Sequence, residues 1–384
     1  MMFDEITWLE ALGHEVAHFS TAHPQNVASP WSDYFAPYLE LGEGSSLSRQ
    51  DQLRAAARLF HNLPAQEAFG RLLDDFRPDL VHVHGIHRQL SPSILLAASK
   101  RGVPVLESLH DFHHICPGDT LLYRGLHQCG PRQCGNLWYG GCVRNRCVRG
   151  SLAASVLSAS EVSFQRFRRA YERTITRFIS PSLFMASQMA LAGWSLPCDV
   201  VPNAVLLSAP REGSGHGFAM IGRLAVGKGV HVALEAASLA GARIRVAGTG
   251  PLEGELRSSY PDAEFLGFLD GAQIETLVRE SRAVIVPSEW YENAPMSVLE
   301  PMSMGVPVIA SRIGGIPEQL THRRDGLLID PGDVAALADA MRLIDRDEEL
   351  ATSLGLAARA TVAERFSPEL HTELLLKSYE SVLT

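Results

Sequence analysis

The stretch 288–311, SEWYENAPMSVLEPMSMGVPVIAS, decides how the second half of the chain folds. Residues 283–287 before it are apolar and rich in β-branched side chains, which predicts a short buried strand that ends in a polar loop. Pro295 suits the first position of a helix, because the N–H that proline lacks would be unpaired there. Pro301 is tolerated only within about the first turn, so the helix should begin no earlier than Pro295. The stretch therefore predicts a strand, a polar loop and a helix N-terminus at the edge of a cleft.

Two glutamates in this stretch, Glu292 in the loop and Glu300 in the helix, have seven residues between them. The first N–H groups of the helix, near Met296 and Ser297, favour an anionic oxygen. Carboxylates accept hydrogen bonds from hydroxyls, so the two glutamates could hold two parts of one ligand. This combination predicts a site for a sugar phosphate. Either glutamate, taken alone, could instead do no more than complement the helix dipole.

A glycine-rich turn lies upstream, at residues 222–229, GRLAVGKG, between an apolar run and a segment with helical spacing. Backbone N–H groups, the Arg223 guanidinium and the Lys228 ammonium would converge there on an anion such as a diphosphate. Each charge-assisted contact would contribute about 1.5 to 3 kcal/mol. Gly229 stands where a P-loop has the Ser or Thr that holds magnesium, which disfavours a P-loop nucleotidase. An ordinary strand-to-helix turn with two solvated basic residues stays the alternative.

Two shorter glycine motifs follow in order, VAGTGP at 246–251 and FLGFLD at 265–270. No single motif would justify a family, but several in the correct order and spacing are far more specific. Together with the stretches above, they resemble the C-terminal half of the retaining family-four glycosyltransferases, and the resemblance covers most of the chain. It implies the α/β GT-B fold, in which two Rossmann-like parallel-sheet domains face each other across a cleft.

The resemblance implies an activity and a set of partners. A hexosyl group would move from a nucleotide diphosphate sugar, UDP- or GDP-linked, to a hydroxyl acceptor such as a glycan, a lipid-linked saccharide or a small metabolite. The anomeric carbon would keep its configuration, and neither a metal ion nor another cofactor would be needed. Two other classes stay open. A nucleotide-sugar epimerase of similar two-domain form would consume donor without acceptor, and a non-catalytic nucleotide-sugar-binding protein would release nothing.

The resemblance also implies roles for individual residues. Glu292 would contact the donor sugar together with His110, and Glu300 would contact the nucleotide ribose. Arg223 and Lys228 would neutralise the donor diphosphate. No protein nucleophile is assigned in this retaining family. The other donor-binding positions are Gly222, Gly248, Asn293, Ala294, Pro295, Met296 and Ser297, with the phosphate and sugar held by backbone groups of 293–297.

Aliphatic segments alternate with helical ones along the whole chain, which predicts parallel sheets covered by helices. The 384 residues leave room for two domains, each with its own core. We predict an acceptor-binding domain over 1–198, with a Cys- and Arg-rich insertion at about 116–178. A donor-binding domain should follow over 199–362. In the resembling family the terminal helix, here 363–384, crosses back onto the N-terminal domain.

Composition and charge exclude several classes. The formal net charge is -9, which disfavours a nucleic-acid binder. No apolar run approaches the roughly 20 residues of a membrane helix. The first residues are acidic rather than basic and apolar, so no secretory signal is predicted and the cytoplasm is the expected location.

The N-terminus departs from the resembling family, whose members begin with an apolar strand and a glycine-rich loop. Residues 1–19, MMFDEITWLEALGHEVAHF, start inside the helix that normally follows. The first strand of the N-terminal sheet is therefore expected to be missing, which would leave an unpaired strand edge. Adding upstream codons should raise the melting temperature and the turnover, and no gain in either would contradict this expectation.

Histidines gather where strands of the first half end. HDFHHICP follows the apolar segment PVLESL, so His110 lies at the carboxyl end of a strand, where open α/β sheets bind ligands. His110 is the candidate active-site histidine. His82 and His84 alternate on a strand and face one side, as ordinary packing would place them. Joined by His110, Asp111, His113 and His114, they would also be compatible with a metal hydrolase, but the usual ordered ligand spacing is absent.

The insertion carries two unusual features. Four cysteines, Cys129, Cys134, Cys142 and Cys147, form two pairs with four residues inside each pair. A zinc ion held by four thiolates would stabilise a segment with little apolar material, but this spacing is looser than the usual two residues, and reduced thiols stay the alternative. Between residues 144 and 177 there are eight arginines and two glutamates. That segment suits an anionic membrane surface or a lipid-linked phosphate, or it is a solvated helix face that packs its apolar side inward.

Overall fold

Two parallel β-sheets, one in each half of the chain, form the framework of the protein. The structure is a computed structural model and describes residues 2–38, 49–123, 127–129, 134 and 139–383. The first sheet has four strands and the second has six, and all neighbours within these two sheets run parallel. The predicted pair of α/β domains is therefore confirmed.

Short strands and helices alternate in the first half of the chain. Its elements are α1 (Met2–Ala11), β1 (Thr21–Ala22), β2 (Ala36–Pro37), α2 (Arg49–Phe60), α3 (Leu63–Phe76), β3 (Val81–His84), α4 (Ser93–Ser99), β4 (Val105–Ser108), β5 (Leu122–Tyr123), β6 (His127–Gln128), α5 (Gly140–Asn145), α6 (Leu152–Arg168), β7 (Arg177–Ser180), α7 (Leu183–Leu191) and β8 (Cys198–Val200). The first sheet has the order β3-β4-β7-β8, while β1 with β2 and β5 with β6 form separate pairs. Among the described residues, the edge of β3 away from β4 has no strand partner.

Strands and helices alternate more regularly in the second half of the chain. Its elements are β9 (Phe218–Ile221), α8 (Val230–Ala240), β10 (Ile244–Ala247), α9 (Glu253–Ser259), β11 (Glu264–Gly267), α10 (Gly271–Glu280), β12 (Ala283–Val286), α11 (Met296–Ser303), β13 (Val308–Ser311), α12 (Ile316–Gln319), β14 (Leu327–Ile329), α13 (Val334–Arg346), α14 (Glu348–Arg365) and α15 (Pro368–Leu383). The strand order is β11-β10-β9-β12-β13-β14, so the direction of winding reverses between β9 and β12. Open parallel sheets bind ligands outside the carboxyl ends of the strands at such a point.

The strands of the second sheet are buried on both faces, which explains their continuous apolar sequences. Ala283 and Ile285 of β12 pack in one cluster with residues of α8 and α13. Val284 and Val286 point the other way and pack with residues of α11. All four are at most 6% exposed. Because successive side chains of a strand face opposite sides, this short strand fixes the sheet between two helical layers.

The last helix, α15, packs against the first sheet. Leu375 and Tyr379 lie in one apolar cluster with Leu106 of β4 and Ile179 of β7. The Tyr379 hydroxyl is also 2.8 Å from Nδ1 of His82 on β3. The predicted return of the terminal helix to the N-terminal domain is therefore confirmed.

The element bounds differ by a few residues from the predicted domain limits. The limit after residue 198 falls inside β8, which pairs with β7 as far as Val200. At the other end α14 continues to Arg365 and α15 begins at Pro368, so the predicted limit at 363 falls within a helix.

Within the described residues, none of the helices is both long enough and apolar enough to span a membrane.

Candidate active site

The glycine-rich turn and the glutamate loop meet where the strand order of the second sheet reverses. β9 and β12 are paired neighbours, so their carboxyl ends lie side by side. β9 leads into Gly222 and Arg223, and β12 leads into the loop that carries Glu292. The Glu289 N–H donates to the Gly227 carbonyl at 2.9 Å, which ties the loop to the turn. The Arg223 side chain is exposed and has no ion-pair partner within the described part of the chain.

Three donors hold the Glu292 carboxylate in place. Its Oε1 accepts hydrogen bonds from the Lys228 ammonium, the Ser288 hydroxyl and the Trp290 indole N–H, each at 2.7 Å. The Lys228 ammonium also lies 5.0 Å from the centre of the Trp290 ring. The side chains of Glu292 and Lys228 are only 11% and 24% exposed, so solvent screens their pairing weakly. The sequence placed these two residues on separate parts of a ligand, whereas the structure joins them as one unit.

The glycines of the turn are required by close packing as well as by any bound phosphate. A Cβ at Gly227 would lie 2.6 Å from the Trp290 ring. Gly229 has a φ of 66°, and a Cβ there would lie 1.9 Å from the Pro287 carbonyl oxygen. The turn can therefore lie against the glutamate loop only with glycine at both positions. From the sequence alone, these glycines were explained only by the approach of the backbone to a bound anion.

Helix α11 begins one residue later than predicted. Pro295 has extended backbone angles, φ −69° and ψ 130°, and is the N-cap rather than the first helical residue. The N–H groups of Met296 and Ser297 belong to the first turn and have no partner inside the helix. Glu300 lies one turn into the helix, as predicted, and burial raises the pKa of its carboxyl. Pro301 lies inside the helix, which has only eight residues.

Asn293 connects the glutamate loop to the first domain. Its Nδ2 donates to the Leu109 carbonyl at 2.9 Å, and its Oδ1 accepts from the Ser182 hydroxyl at 2.7 Å. The Asn203 amide donates to the neighbouring Ala294 carbonyl at 2.9 Å. The side chain of Asn293 therefore bonds to the first domain, and its backbone groups stay available to a ligand. Sequence analysis missed this role, because the partners lie more than 90 residues away along the chain.

The same contact lies beside the two candidate catalytic residues in the sequence. His110 follows Leu109, and Glu292 precedes Asn293, so each is one residue from the hydrogen bond that joins the domains. Nε2 of His110 lies 2.8 Å from Nδ1 of His84. Burial lowers the pKa of His110, so its imidazole is neutral at pH 7. The site thus combines a fixed carboxylate from one domain with a neutral imidazole from the other.

Glu318 is a second connection between the domains that sequence analysis did not find. Its carboxylate oxygens accept from the N–H groups of Leu183 and Phe184, both at 2.7 Å. These are the first two residues of α7, whose N–H groups have no intrahelical partner. A carboxylate at a helix N-terminus also complements the helix dipole. Glu318 therefore caps a helix of the first domain from the second.

Removing this cap should weaken the contact between the domains. We expect Glu318→Ala to lower the free energy of unfolding by about 1 to 2 kcal/mol, as the loss of an N-cap side chain typically does. Glu318→Gln keeps one acceptor oxygen, so its free energy of unfolding should lie between those of the parent protein and Glu318→Ala. Thermal unfolding of the three proteins measures the order. Equal melting temperatures for all three would contradict the role given to Glu318.

Several of the other histidines of the first domain lie in buried polar contacts. Both ring nitrogens of His82 are 2.8 Å from hydroxyls, those of Tyr379 and Ser108. Burial would lower the pKa of His113, but its hydrogen bonds to Asp119 and Glu161 raise that pKa to about 10. Two sets have ligand atoms within 4.8 Å of one another: Glu5, His82 and His84 form the first, and His87, Glu107 and His114 form the second. The residues of the second set are at most 8% exposed, whereas a hydrolytic metal needs an open position for water.

Two family models match this arrangement of two domains. The model described as "Glycosyl transferase 4-like domain" matches residues 4–204, and the model described as "Glycosyl transferases group 1" matches residues 215–347. The chain belongs to the family-four glycosyltransferases. The predicted family is confirmed, and the boundary between the two matches lies between the two sheets.

Curated relatives match parts of this glycosyltransferase. N-acetyl-alpha-D-glucosaminyl L-malate synthase of Bacillus anthracis is 36% identical over 118 residues, which are 31% of this chain and 29% of that protein. The amylovoran biosynthesis glycosyltransferase AmsK of Erwinia amylovora is 29% identical over 166 residues, 39% of this chain and 41% of that protein. The match therefore spans less than half the length of either relative.

Solved structures show the same fold at low sequence identity. Sucrose-phosphate synthase of Thermosynechococcus elongatus is 17% identical with a TM-score of 0.69, over 98% of this chain and 90% of that one. HepE of Anabaena in complex with UDP is also 17% identical, with a TM-score of 0.60 over 82% of each chain. The predicted GT-B fold of this glycosyltransferase is confirmed.

The predicted donor residues of this glycosyltransferase gather on one side of the cleft. Gly248 follows β10, and a Cβ there would lie 1.9 Å from the Gly222 carbonyl oxygen, so the two glycine motifs are in contact. Gly222 and Arg223 follow β9, and Lys228 bonds to Glu292, which directly precedes the loop of 293–297. Only His110 comes from the first domain. Their roles toward a donor stay predictions.

The insertion of this glycosyltransferase lies partly outside the described residues, which omit 124–126, 130–133 and 135–138. Its cysteine thiols pair by hydrogen bonds, Cys129 with Cys134 and Cys142 with Cys147. In the part of the chain that the structure describes, no three cysteine thiols lie close enough to hold one metal ion. A zinc ion held by four thiolates and reduced thiols both stay open as alternatives.

Proposed function

We propose that this protein transfers a hexosyl group from a nucleotide diphosphate sugar, UDP- or GDP-linked, to a hydroxyl acceptor with retention of the anomeric configuration. The observation that carries the proposal is the fixed Glu292 carboxylate, bonded to Lys228 at the switch point of the second sheet. A sugar hydroxyl could donate to the remaining oxygen of Glu292, while Lys228 lies within reach of the adjoining diphosphate.

Charge development on the leaving diphosphate defines the chemistry that these residues would perform. As the bond between the anomeric carbon and the diphosphate breaks, negative charge grows on the phosphate oxygens. Arg223, Lys228 and the first N–H groups of α11 would stabilise that charge without a metal ion. Glu292 and the neutral His110 would orient the sugar through its hydroxyls. We assign no protein nucleophile.

Lys228 would gain a second partner during binding. In the structure its ammonium pairs with Glu292 at 2.7 Å. An ammonium has three donors, so Lys228 can keep this carboxylate and still bind a phosphate oxygen. The ion pair would then link the sugar-binding carboxylate to the diphosphate-binding cation, so that both halves of the donor are held by one unit.

The comparisons suggest which donors and acceptors to try first. HepE has been solved with UDP and with UDP-glucose, and AmsK takes part in amylovoran biosynthesis. We therefore propose a UDP-hexose donor and a glycan or lipid-linked acceptor, with a small metabolite as the alternative. The reaction would take place in the cytoplasm.

A turnover assay separates this proposal from the other two classes. UDP-glucose and GDP-mannose are incubated with the protein, with and without simple alkyl glycosides as acceptors, and the products are examined by NMR. Retaining transfer predicts free nucleotide and a new glycosidic bond of unchanged anomeric configuration only when acceptor is present. A changed sugar without acceptor would indicate an epimerase, and intact donor under all conditions would indicate a binding protein.

A second, weaker proposal concerns the membrane. Phe167, at the end of α6, is 81% exposed and is followed by Arg168 and Arg169, which are also exposed. Not all arginines of this region are free: Arg166 lies 4.1 Å from the Trp194 ring, and Arg177 pairs with Asp199 at 2.8 Å. An exposed aromatic side chain among cationic ones suits the surface of an anionic bilayer.

Vesicle sedimentation tests the membrane contact. We expect binding to vesicles with anionic lipid at low salt and its loss at high salt, because ions screen exposed charges. Replacing Arg168, Arg169 and Arg173 by alanine should weaken binding by about 1 kcal/mol for each arginine. A control with Arg257, Arg323 and Arg324 of the second domain replaced should bind normally. Absence of binding at low salt would rule out this contact.

A further inference from the structure

A chain of polar contacts connects the candidate histidine to the first helix. Oε2 of Glu5 on α1 lies 3.4 Å from Nε2 of His84. Nδ1 of His84 lies 2.8 Å from Nε2 of His110. Glu5 is only 6% exposed and the side chain of His84 only 11%, so the contact between them is largely shielded from water, whereas His110 reaches the surface. A carboxylate, an imidazole and the candidate active-site imidazole thus stand in series.

The protonation states in this series follow from its first member. Burial by itself raises the pKa of the Glu5 carboxyl, but the contact with His371 lowers it, and the net pKa lies below its ordinary value. Glu5 is therefore ionised near neutral pH, and a carboxylate only accepts hydrogen bonds. The nitrogen of His84 that faces it, Nε2, must carry a proton.

The second and third members follow in turn. Burial holds the pKa of His84 well below its ordinary value, so the ring is neutral and has a single proton. That proton is on Nε2, and Nδ1 is left with a lone pair. His110 must then donate from Nε2 to this lone pair. Since His110 is also neutral, its own Nδ1 is left as a hydrogen-bond acceptor.

We propose that Glu5 and His84 are positioning residues that fix His110 in one tautomer, with its Nδ1 open to accept a hydrogen bond from a hydroxyl of the donor sugar. This inference deepens the proposed function and rests on it. The orienting partner of a histidine decides which ring nitrogen carries the proton. A His110 with the opposite tautomer would present an N–H to the sugar and lose this contact.

The terminal helix holds the series from the other side. His371 on α15 lies 3.4 Å from Oε1 of Glu5 through its Nε2, and its Nδ1 donates to the Pro202 carbonyl at 2.7 Å. The carboxylate of Glu5 is thus fixed between β3 and the helix that returns from the second domain. A purely structural role, in which Glu5 only joins α1 and α15 to the sheet, is the alternative that the experiment has to separate.

The charged groups around the series come from several elements. Besides Glu5 and His84, His110 is affected by Asp111, which follows it, and by Glu107 on β4. Glu5 faces His84 from β3 and His371 from α15. Burial lowers the pKa of His110 and outweighs the three nearby carboxylates, Glu5, Asp111 and Glu107, which favour the protonated ring.

The first test observes the tautomer directly and does not depend on turnover. In the 15N-labelled protein, the two ring nitrogens of His110 are assigned by comparison with His110→Gln. We expect Nε2 protonated and Nδ1 unprotonated in the parent protein, and a mixture of tautomers in Glu5→Gln. Glu10→Gln, an exposed glutamate of the same helix, is the matched control and should leave the signals unchanged. An unchanged tautomer of His110 in Glu5→Gln would overturn the proposal.

The second test uses kinetics and a conservative rescue. Glu5→Gln should lower kcat by about 10- to 100-fold, the range found for residues that orient another active group, and leave the Kd for UDP unchanged. His84→Asn keeps an acceptor oxygen near the place of Nδ1 and should retain most of kcat, whereas His84→Leu should lose it. Equal kcat for the Asn and Leu variants would show that His84 acts by packing alone and would overturn the proposal. If the parent protein shows no turnover, the proposed function fails, and the tautomer measurement still decides the orientation of His110.

Discussion

Replacing both Arg223 and Lys228 by alanine should lower kcat/KM for a nucleotide-sugar donor by about 10²- to 10⁴-fold, because two charge-assisted contacts contribute about 1.5 to 3 kcal/mol each. Both side chains stand at the carboxyl end of β9, where the proposed diphosphate would lie. Their removal leaves the growing charge of the leaving group without its cations. Initial rates over a range of donor concentrations measure the loss.

The control for this experiment is Arg257→Ala. Arg257 belongs to the same domain and is half exposed, and within the described part of the chain it contacts Glu253, four residues earlier on α9, and Phe265. It should leave kcat/KM within about twofold, since exposed pairs of this kind contribute 0.3 to 0.5 kcal/mol. Normal kcat/KM in the Arg223→Ala, Lys228→Ala double variant would show that the diphosphate does not bind at this place.

Glu292→Gln should separate catalysis from nucleotide binding. We expect kcat to fall by about 10²- to 10³-fold, the loss found when one oriented polar group is removed from a reacting centre. The Kd for the free nucleotide should be unchanged or tighter. Lys228 would no longer be paired with a carboxylate at 2.7 Å and would be freer to bind a phosphate. The two effects are measured by single-turnover kinetics and by calorimetry.

Glu280→Gln is a suitable control. Glu280 is an exposed glutamate just before β12, and its carboxylate pairs with Arg245 of β10. It should change neither kcat nor Kd. If Glu292→Gln weakened nucleotide binding as strongly as it lowered kcat, the carboxylate would be acting on the nucleotide or on the fold, and its proposed contact with the sugar would be wrong.

Local patterns predicted the elements that carry the site. The apolar run 283–287 is β12, and the limits imposed by Pro295 and Pro301 placed the start of α11 to within one residue. The strand, glycine-rich turn and helix around 222–229 were found for the same reason. The burial of a strand and the backbone restrictions of proline and glycine are local effects. The sequence near each position is therefore enough to predict these elements.

Contacts between distant segments could not be predicted in this way. The hydrogen bonds of Asn293 to Leu109 and of Glu318 to α7 join residues that are far apart in the chain, and their partners are backbone atoms that carry no sequence signal. The alternation of His82 and His84 suggested packing for both. The structure bears this out for His82, whereas His84 contacts His110 and Glu5. That difference depends on where α1 lies against β3.

Calorimetric titration with UDP, GDP and ADP, run on the parent protein and on the Arg223→Ala, Lys228→Ala double variant, tests the central claim most directly. That claim is that a nucleotide diphosphate binds where β9 and β12 diverge. The account predicts that one of the three nucleotides binds to the parent protein and that the double variant loses this binding while its melting temperature stays the same. Equal binding by both proteins, or no binding of any nucleotide, would contradict it.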